Sequence, residues 1–395
     1  MLVNKRFKIK KILGSFKATN GPYEIFGDEI IKFLNEISKV LLNDKKSKKF
    51  PDLIAFGFWC RYSNIKRLLQ NYKELNNRVG RGSVLHIAPS NVPTNFAYSM
   101  MFGLLAGNNN IVRLPSKNFF QVTILCKILK KLALRKKYKK IFKRFLLIKY
   151  ENSDEISAEL SRIVEARIIW GGDETINKFK SFYTQPRCID LTFANRFSLS
   201  IINSNKLANL KKEELEILAQ RFYNDTYIMD QFGCSSPNSI FWLGKNNKAK
   251  KNFWKELGNI VDKKYNLDLS SANEKISNLI KFTLEEKKNF KVKFDNFNLV
   301  KLNHKNINLD KYENISFGTF FEIDLKNINY LKKFVSTKLQ TVTYYGVEFN
   351  MIKKFIINNN IKGIDRIIPI GRAFDLTSEW DGVDIILTLS RTIGS

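Results

Sequence analysis

Apolar and polar positions alternate in two different ways along the chain, and the changeover between them sets its organisation. Residues 1 to about 75 read as helix-rich, with helices expected over 23–42 and 51–75 and a charged break over 43–50 between them. Short apolar runs then alternate with helical patterns. Residues 80–89 read as a strand entering a loop, and 97–106 as a helix closed by Gly107, which is placed as a C-terminal glycine. Further strands are expected at 110–115, 146–150 and 166–170, each followed by a helix, the last helix opening at Gly171-Gly172. This alternation over 83–202 predicts an α/β fold with a parallel sheet of dinucleotide-binding type.

From about 206 the pattern changes. A long helix over 211–227 feeds directly into a loop of small residues, and a strand follows at 239–243. The Lys/Asn-rich region 245–308 reads as helical with surface loops, before strands at 318–325, 341–345 and 366–370. The expected division is 1–205, an N-terminal helical segment and a dinucleotide-binding domain, followed by 206–395, a second α/β domain carrying that loop. No internal repeat or low-complexity linker is detectable.

At 395 residues, 44% hydrophobic and 13% aromatic, the chain can build substantial cores. Its net charge of +30 raises the question of nucleic acid. The densest basic stretch, 130–144, has apolar positions at Leu132, Leu134, Tyr138, Ile141 and Phe142, mostly three or four apart, so a helix with a solvated basic face is expected. No zinc-finger, aromatic RNA-binding or helix-turn-helix signature accompanies it, and no nucleic-acid partner is expected. Such a face suits an acidic carrier protein or a phosphorylated cofactor equally well. The N-terminus lacks the apolar core of a secretory signal, and the longest nearly apolar run, 96–106, is too short to span a bilayer, so a cytoplasmic protein is expected.

Four unevenly spaced cysteines argue against a disulfide framework or a zinc ribbon, and only two histidines, His86 and His304, exclude multi-histidine metal sites. No metal is expected. Cys60, Cys126 and Cys188 have apolar neighbours and read as small buried hydrophobes. Cys234 differs. It lies in Gly233-Cys234-Ser235-Ser236-Pro237, where small neighbours leave its sulfur open to a ligand, as a nucleophile requires. A structural turn is the competing reading. His304 falls in a polar, loop-like segment and His86 reads as a strand histidine with a satisfied hydrogen bond, so activation of Cys234 is expected to come from its surroundings rather than from a histidine.

Four segments occurring in order resemble the acyl-CoA reductase family, known for the fatty acid reductase component of bacterial luminescence, and are similar more distantly to the aldehyde dehydrogenase superfamily. They are 86–96 with Asn91 at its centre, 104–116, the Gly233–Pro237 loop, and 364–373 running on to 380–384. The resemblance covers about residues 80–391. It implies an aldehyde-dehydrogenase-like fold and reduction of an acyl thioester to an aldehyde by way of an acyl group on Cys234. The implied oxyanion donors are the Asn91 side chain and the Cys234 amide, although Asn91 also fits a simple capped turn. Coenzyme A is the implied leaving group, acyl-CoA or acyl carrier protein the implied acyl donor, and an acyl-protein synthetase a partner found with relatives; a homo-oligomer is also open.

Hydrolytic aldehyde dehydrogenases carry a glutamate base in a Glu-Leu-Gly-Gly segment. The corresponding stretch here, 190–195, has none, although Asp190 could stand in, and this favours acyl reduction over oxidation to a free acid. For the cofactor, Arg113, Ser116 and Lys117 place a small residue beside two cations, which suits the 2′-phosphate of NADPH over NADH, while Lys117 also fits a plain helix surface. Gly171 and Gly172 are expected at the cofactor as a strand-to-helix turn, without a GxGxxG fingerprint. The alternatives are a coenzyme-A-acylating aldehyde dehydrogenase for a short or sugar-linked acyl group, and a non-enzymatic basic scaffold for an acidic carrier.

Overall fold

In the computed structural model the described residues are 8–17, 21–72, 75, 77–286, 290–304, 306–312 and 315–394. The chain forms two units, Met1–Ala194 with Leu376–Ser395, and Asn195–Asp375.

The strands of the first unit's main sheet are β1 (Lys10–Ser15), β3 (Ser83–Ile87), β4 (Asn109–Arg113), β5 (Phe145–Lys149), β6 (Ala166–Trp170) and β7 (Ile189–Phe193), β2 (Arg78–Gly80) standing outside it. Their order is β1-β5-β4-β3-β6-β7, all parallel except β1, which runs antiparallel to β5. β3 and β6 are buried along their whole length and β4 nearly so. Strands covered on both faces have no polar side to alternate with, which is why these read as continuous apolar runs. β1 escaped the sequence reading because its lysines and half-exposed residues belong to a sheet edge, where charge blunts further pairing.

The expected helix over 51–75 is two helices, Pro51–Trp59 and Tyr62–Gln70, broken where Arg61 turns extended (ψ 142°). The basic stretch also departs from expectation. The helix Phe120–Ala133 stops, and two single turns follow at Lys136–Tyr138 and Ile141–Lys143. Tyr138 and Phe142 bury their rings edge-on against Phe33, at 5.2 and 5.6 Å, while Leu134 is 85% exposed. Those two anchors hold the chain on the helix Asp28–Asn43 and break the helical path, so no continuous basic helix face forms.

The second unit is a seven-stranded sheet of β8 (Phe197–Asn203), β9 (Pro237–Leu243), β10 (Phe290–Asn296), β11 (Leu299–His304), β12 (Thr319–Leu325), β13 (Leu339–Tyr345) and β14 (Arg366–Pro369). The order is β10-β11-β12-β9-β8-β13-β14, parallel apart from β10. Period-2 alternation sends Ile201 and Phe241 into one core and Ile202 and Trp242 into the opposite one, where the helices Lys212–Thr226 and Asn247–Lys264 pack. Residues 245–308, expected to be helical with loops, end in the β10–β11 hairpin, so His304 closes a strand rather than lying in a loop.

The last residues, β15 (Glu379–Trp380), β16 (Val383–Asp384) and β17 (Ser390–Thr392), belong with the first unit. β17 pairs antiparallel with β2, Arg78 donates to Thr392 Oγ1 (2.8 Å), and Asn108 Nδ2 donates to the Leu389 carbonyl (2.9 Å). The two-part division at 205/206 therefore gives way to one in which the chain returns to where it began. Among the described residues no helix is long and apolar enough to cross a membrane.

Candidate active site

The helix Lys212–Thr226 ends in one tighter turn, and Asp230 (φ 51°) and Gln231 (φ 62°) then both adopt the left-handed conformation. For residues other than glycine this costs about 1–3 kcal/mol each. Side-chain bonds hold them there. The Tyr265 hydroxyl donates to Asp230 Oδ1 (2.6 Å), Gln231 Nε2 donates to the Pro237 and Thr319 carbonyls (3.2 Å each), and Gln231 Oε1 accepts from the Gly318 amide (2.7 Å). Gly233 then passes the Phe374 ring so closely that a Cβ would stand 2.7 Å from it, so only glycine fits before the cysteine without moving that ring.

Cys234 follows, half-buried, in the turn that starts β9 at the N-terminal edge of its sheet. Gln340 Nε2 on β13 lies 3.3 Å from its sulfur. Ser198 on β8 donates to the Cys234 carbonyl (2.6 Å) and accepts from the Thr341 amide (3.1 Å). The Ser236 amide closes the turn onto the Gly233 carbonyl (2.8 Å). Three adjacent strands thus fix the backbone that carries the sulfur, and a polar amide approaches the sulfur itself.

Arg366 opens β14 in register with Thr341, one residue from Gln340. Its guanidinium donates to the Ala373 carbonyl (2.7 Å) and the Asp375 carbonyl, and it is close enough to interact electrostatically with both Cys234 and Asp225. The buried Asp225 takes the amide side of the same segment, accepting from Gly371 (2.6 Å) and Ala373 (2.9 Å). Burial pushes its carboxyl up to about 7, against the pull of those two amides. Segment 371–375, which presents Phe374 to Gly233, is held by Arg366 on its carbonyls and by Asp225 on its amides.

The remaining site residues stand in the first unit, along one edge of one sheet. Asn91 is exposed in the turn after β3, Ser116 and Lys117 are exposed in the bend after β4, and Gly171 and Gly172 follow β6. The strand order reverses between β3 and β6, which makes a topological switch point, and ligands of open α/β sheets bind beyond the carboxyl ends of strands at such a point. Arg113, at the end of β4, lays its guanidinium over Tyr150 (4.5 Å) and reaches Asn152 Oδ1 (3.4 Å). The Gly171 amide donates to the Phe193 carbonyl (3.2 Å), and Gly172 precedes the helix Asp173–Ser181. Asp173 and Glu174 occupy that helix's first turn and already complement its positive end, so the glycine pair is a tight turn more than a phosphate cradle.

The acyl-CoA reductase (LuxC) family model matches residues 61–392. The chain belongs to the acyl-CoA reductase family. It is thereby an oxidoreductase of acyl and aldehyde groups. No curated protein matches it. Among solved structures, aldehyde dehydrogenase 21 of Physcomitrella patens, in complex with succinate, shares 12% identity at a TM-score of 0.64, covering 95% of this chain and 86% of that one. The 1-pyrroline-5-carboxylate dehydrogenase from Thermus with bound NAD shares 10% at 0.62, covering 92% and 81%. These likenesses show the aldehyde dehydrogenase fold.

In this acyl-CoA reductase, two residues considered as acid–base groups are committed elsewhere. Asp190 forms a two-point ion pair with Arg167 (2.7 and 2.6 Å), whose guanidinium is buried and also bonds Ser161 and the Phe179 carbonyl. It is no stand-in base. His86 is fully buried, with Nδ1 2.8 Å from Ser99 Oγ and Nε2 2.8 Å from Asn110 Oδ1, and burial lowers it to about 4, so it is neutral. Ser198, Asp225, Gln340, Arg366 and Phe374 were not found as site residues from sequence. The segment 364–373 carried a resemblance without roles, and Gln340 and Ser198 gave no signal, because their meeting with Cys234 depends on the order β9-β8-β13.

Proposed function

We propose that this acyl-CoA reductase converts a fatty acyl thioester, on coenzyme A or an acyl carrier protein, to its aldehyde through an acyl-Cys234 intermediate, with NADPH as reductant. The observation that carries this reading is the sulfur of Cys234 held in a glycine-tight, strand-anchored turn in a chain of this family. The Cys234 thiolate attacks the thioester carbon, forming a new S–C bond, and the bond to the carrier sulfur breaks to release the carrier thiolate. Asn91 and the Cys234 amide donate to the oxyanion of that step. A bound nicotinamide supplies the hydride. Hydride on the acyl carbon leaves an alkoxide bonded to Cys234. Its collapse breaks the S–C bond, releasing the aldehyde and returning the thiolate, while the one proton of the overall reaction goes to the departed carrier thiolate. Pairing of Asp190 with Arg167 leaves the acyl-enzyme without a carboxylate base from that segment to activate water, which favours reduction over hydrolysis.

The switch point between β3 and β6 fits a dinucleotide, as does a structural neighbour that carries NAD on this fold. Arg113, steadied by Tyr150 and Asn152, would hold the 2′-phosphate with Ser116 and Lys117. Incubation with a panel of labelled acyl-CoA and acyl-carrier substrates without reductant, followed by mass spectrometry, is expected to add the acyl mass to the Cys234 peptide of the wild type and nothing to Cys234→Ala. A wild type that takes up no acyl group at any chain length would sink the proposal.

A further inference from the structure

We propose that Arg366 is the positioning residue that keeps Cys234 in its thiolate form, supplying the positive charge that this loop's place in the fold withholds. The inference deepens the function proposed above and rests on it.

Activated cysteines commonly sit at helix N-termini, where the backbone offers a partial positive charge. Cys234 has the opposite placement. Its loop follows the C-terminal end of the helix Lys212–Thr226, and the strands it joins present their N-terminal edge. The loop's place therefore gives the sulfur no helix N-terminus. The carboxyls of Asp225 and Asp375 act on Arg366, the cation of the same segment. Gln340 provides one N–H at 3.3 Å, a neutral donor. His86 does not supply the charge, being locked between Ser99 and Asn110 in the other unit's core, and β11, which ends at residue 304, lies on the far side of β12 from β9.

Arg366 answers this deficit by its register. Opening β14 opposite Thr341, it stands beside the strand whose Gln340 meets the sulfur, and its charge acts on Cys234. Its fork is spent on the carbonyls of Ala373 and Asp375, so the guanidinium is fixed in place, and Asp225 secures the same segment from the amide side. A planar, always-charged fork can both tie down a loop and hold a charge near the sulfur. Arg372 is the remaining cation of the segment, but it is exposed and paired with Asp375.

The test is the rate of Cys234 alkylation by iodoacetamide as a function of pH in the full-length protein, with acyl uptake from labelled acyl-CoA measured in parallel. Arg366→Gln is expected to move the profile to higher pH and slow alkylation at pH 7 about tenfold, the equivalent of one unit of thiol acidity. Arg366→Lys keeps the charge and is expected to stay within about twofold of wild type. Because Asp225 and Asp375 are common to all three proteins, the difference between the variants reports the charge at 366. An Arg366→Gln rate within twofold of wild type overturns the inference, as does an Arg366→Lys rate that falls as far as that of Arg366→Gln. If Arg366→Gln does not fold, Arg366→Met takes its place with the same two criteria: a tenfold slower rate at pH 7 supports the role of charge, and a rate within twofold of wild type overturns it. Unchanged alkylation with intact acyl uptake would remove Arg366 and leave the proposed function standing, whereas no acyl uptake by wild type would remove both.

Discussion

The two parallel sheets of this protein put chemistry at opposite edges. In the first unit Asn91, Arg113, Ser116, Lys117 and the Gly171-Gly172 turn lie at or just past the carboxyl ends of strands, where ligands of open α/β sheets bind. In the second unit Cys234 precedes its strand, where a helix has just ended. The first edge carries the cations Arg113 and Lys117. At the second edge the loop gives the sulfur no helix N-terminus, and side chains from neighbouring strands act on it instead. Under the proposed function, dinucleotide binding falls to the first edge and nucleophilicity to side chains gathered at the second.

The sharpest way to break this comparison is to remove the groups at each edge and compare what is lost. Cys234→Ser is expected to abolish acyl uptake within detection while leaving the thermal midpoint within about 2 °C, since a half-buried sulfur carries little packing. Loss of fold instead would make Cys234 a structural residue. Asn91→Ala, on the opposite edge, is expected to slow acylation about 10²–10³-fold, as removal of one oxyanion donor does, with cofactor affinity nearly intact. An equal loss in cofactor binding would assign Asn91 to the turn and confine the chemistry to the second unit.

Histidine sharpens the same contrast, because the first unit spends one on stability. His86 lies between Ser99 and Asn110, and Trp170 donates to the same Ser99 oxygen (3.1 Å), a closed network with every ring nitrogen bonded. Burial lowers His86 to about 4 from 6.5, so the unfolded chain binds a proton between those values that the folded one refuses. The linked stability is fully present above pH 6.5 and is lost as pH falls towards 4, by about 3 kcal/mol in total. His86→Gln is expected to flatten the acid limb of unfolding measured between pH 7 and 4 while leaving Cys234 alkylation unchanged. An alkylation rate that tracks His86 would contradict the separation drawn between the two edges.

What the sequence made legible follows the same division. β3, β4 and β6 are covered on both faces and so announce themselves as apolar runs, and the glycine and serines around Cys234 mark an open turn by composition alone. β1 and the β10–β11 hairpin lie at sheet edges, with lysines obscuring their period. The pairing of β17 with β2 joins Ser390 to Gly80, a contact no local pattern encodes. Gln340 and Arg366 were invisible for a related reason. Each is an ordinary strand residue until the order β9-β8-β13-β14 sets it beside a cysteine more than a hundred residues away.

That makes Gln340 the finest probe of how the second edge works. Its amide donates to the sulfur at 3.3 Å from β13, which β8 separates from β9 in the sheet, and its side-chain oxygen accepts from Thr341 Oγ1 (3.3 Å), which aims the NH2 group at the loop. A neutral donor to a thiolate is worth about 1 kcal/mol, so Gln340→Ala is expected to slow acylation about fivefold, and Gln340→Glu to slow it further because an acceptor replaces the donor and adds a negative charge. Acylation rates by stopped-flow release of coenzyme A distinguish the two variants. Equal effects would mean that loss of the N–H donor, common to both variants, accounts for the whole change; a loss for alanine alone would mean that Gln340 acts by filling space. A larger loss for the glutamate would mean that charge at the sulfur governs this edge, with Gln340 and Arg366 acting on the same ionisation from adjacent strands.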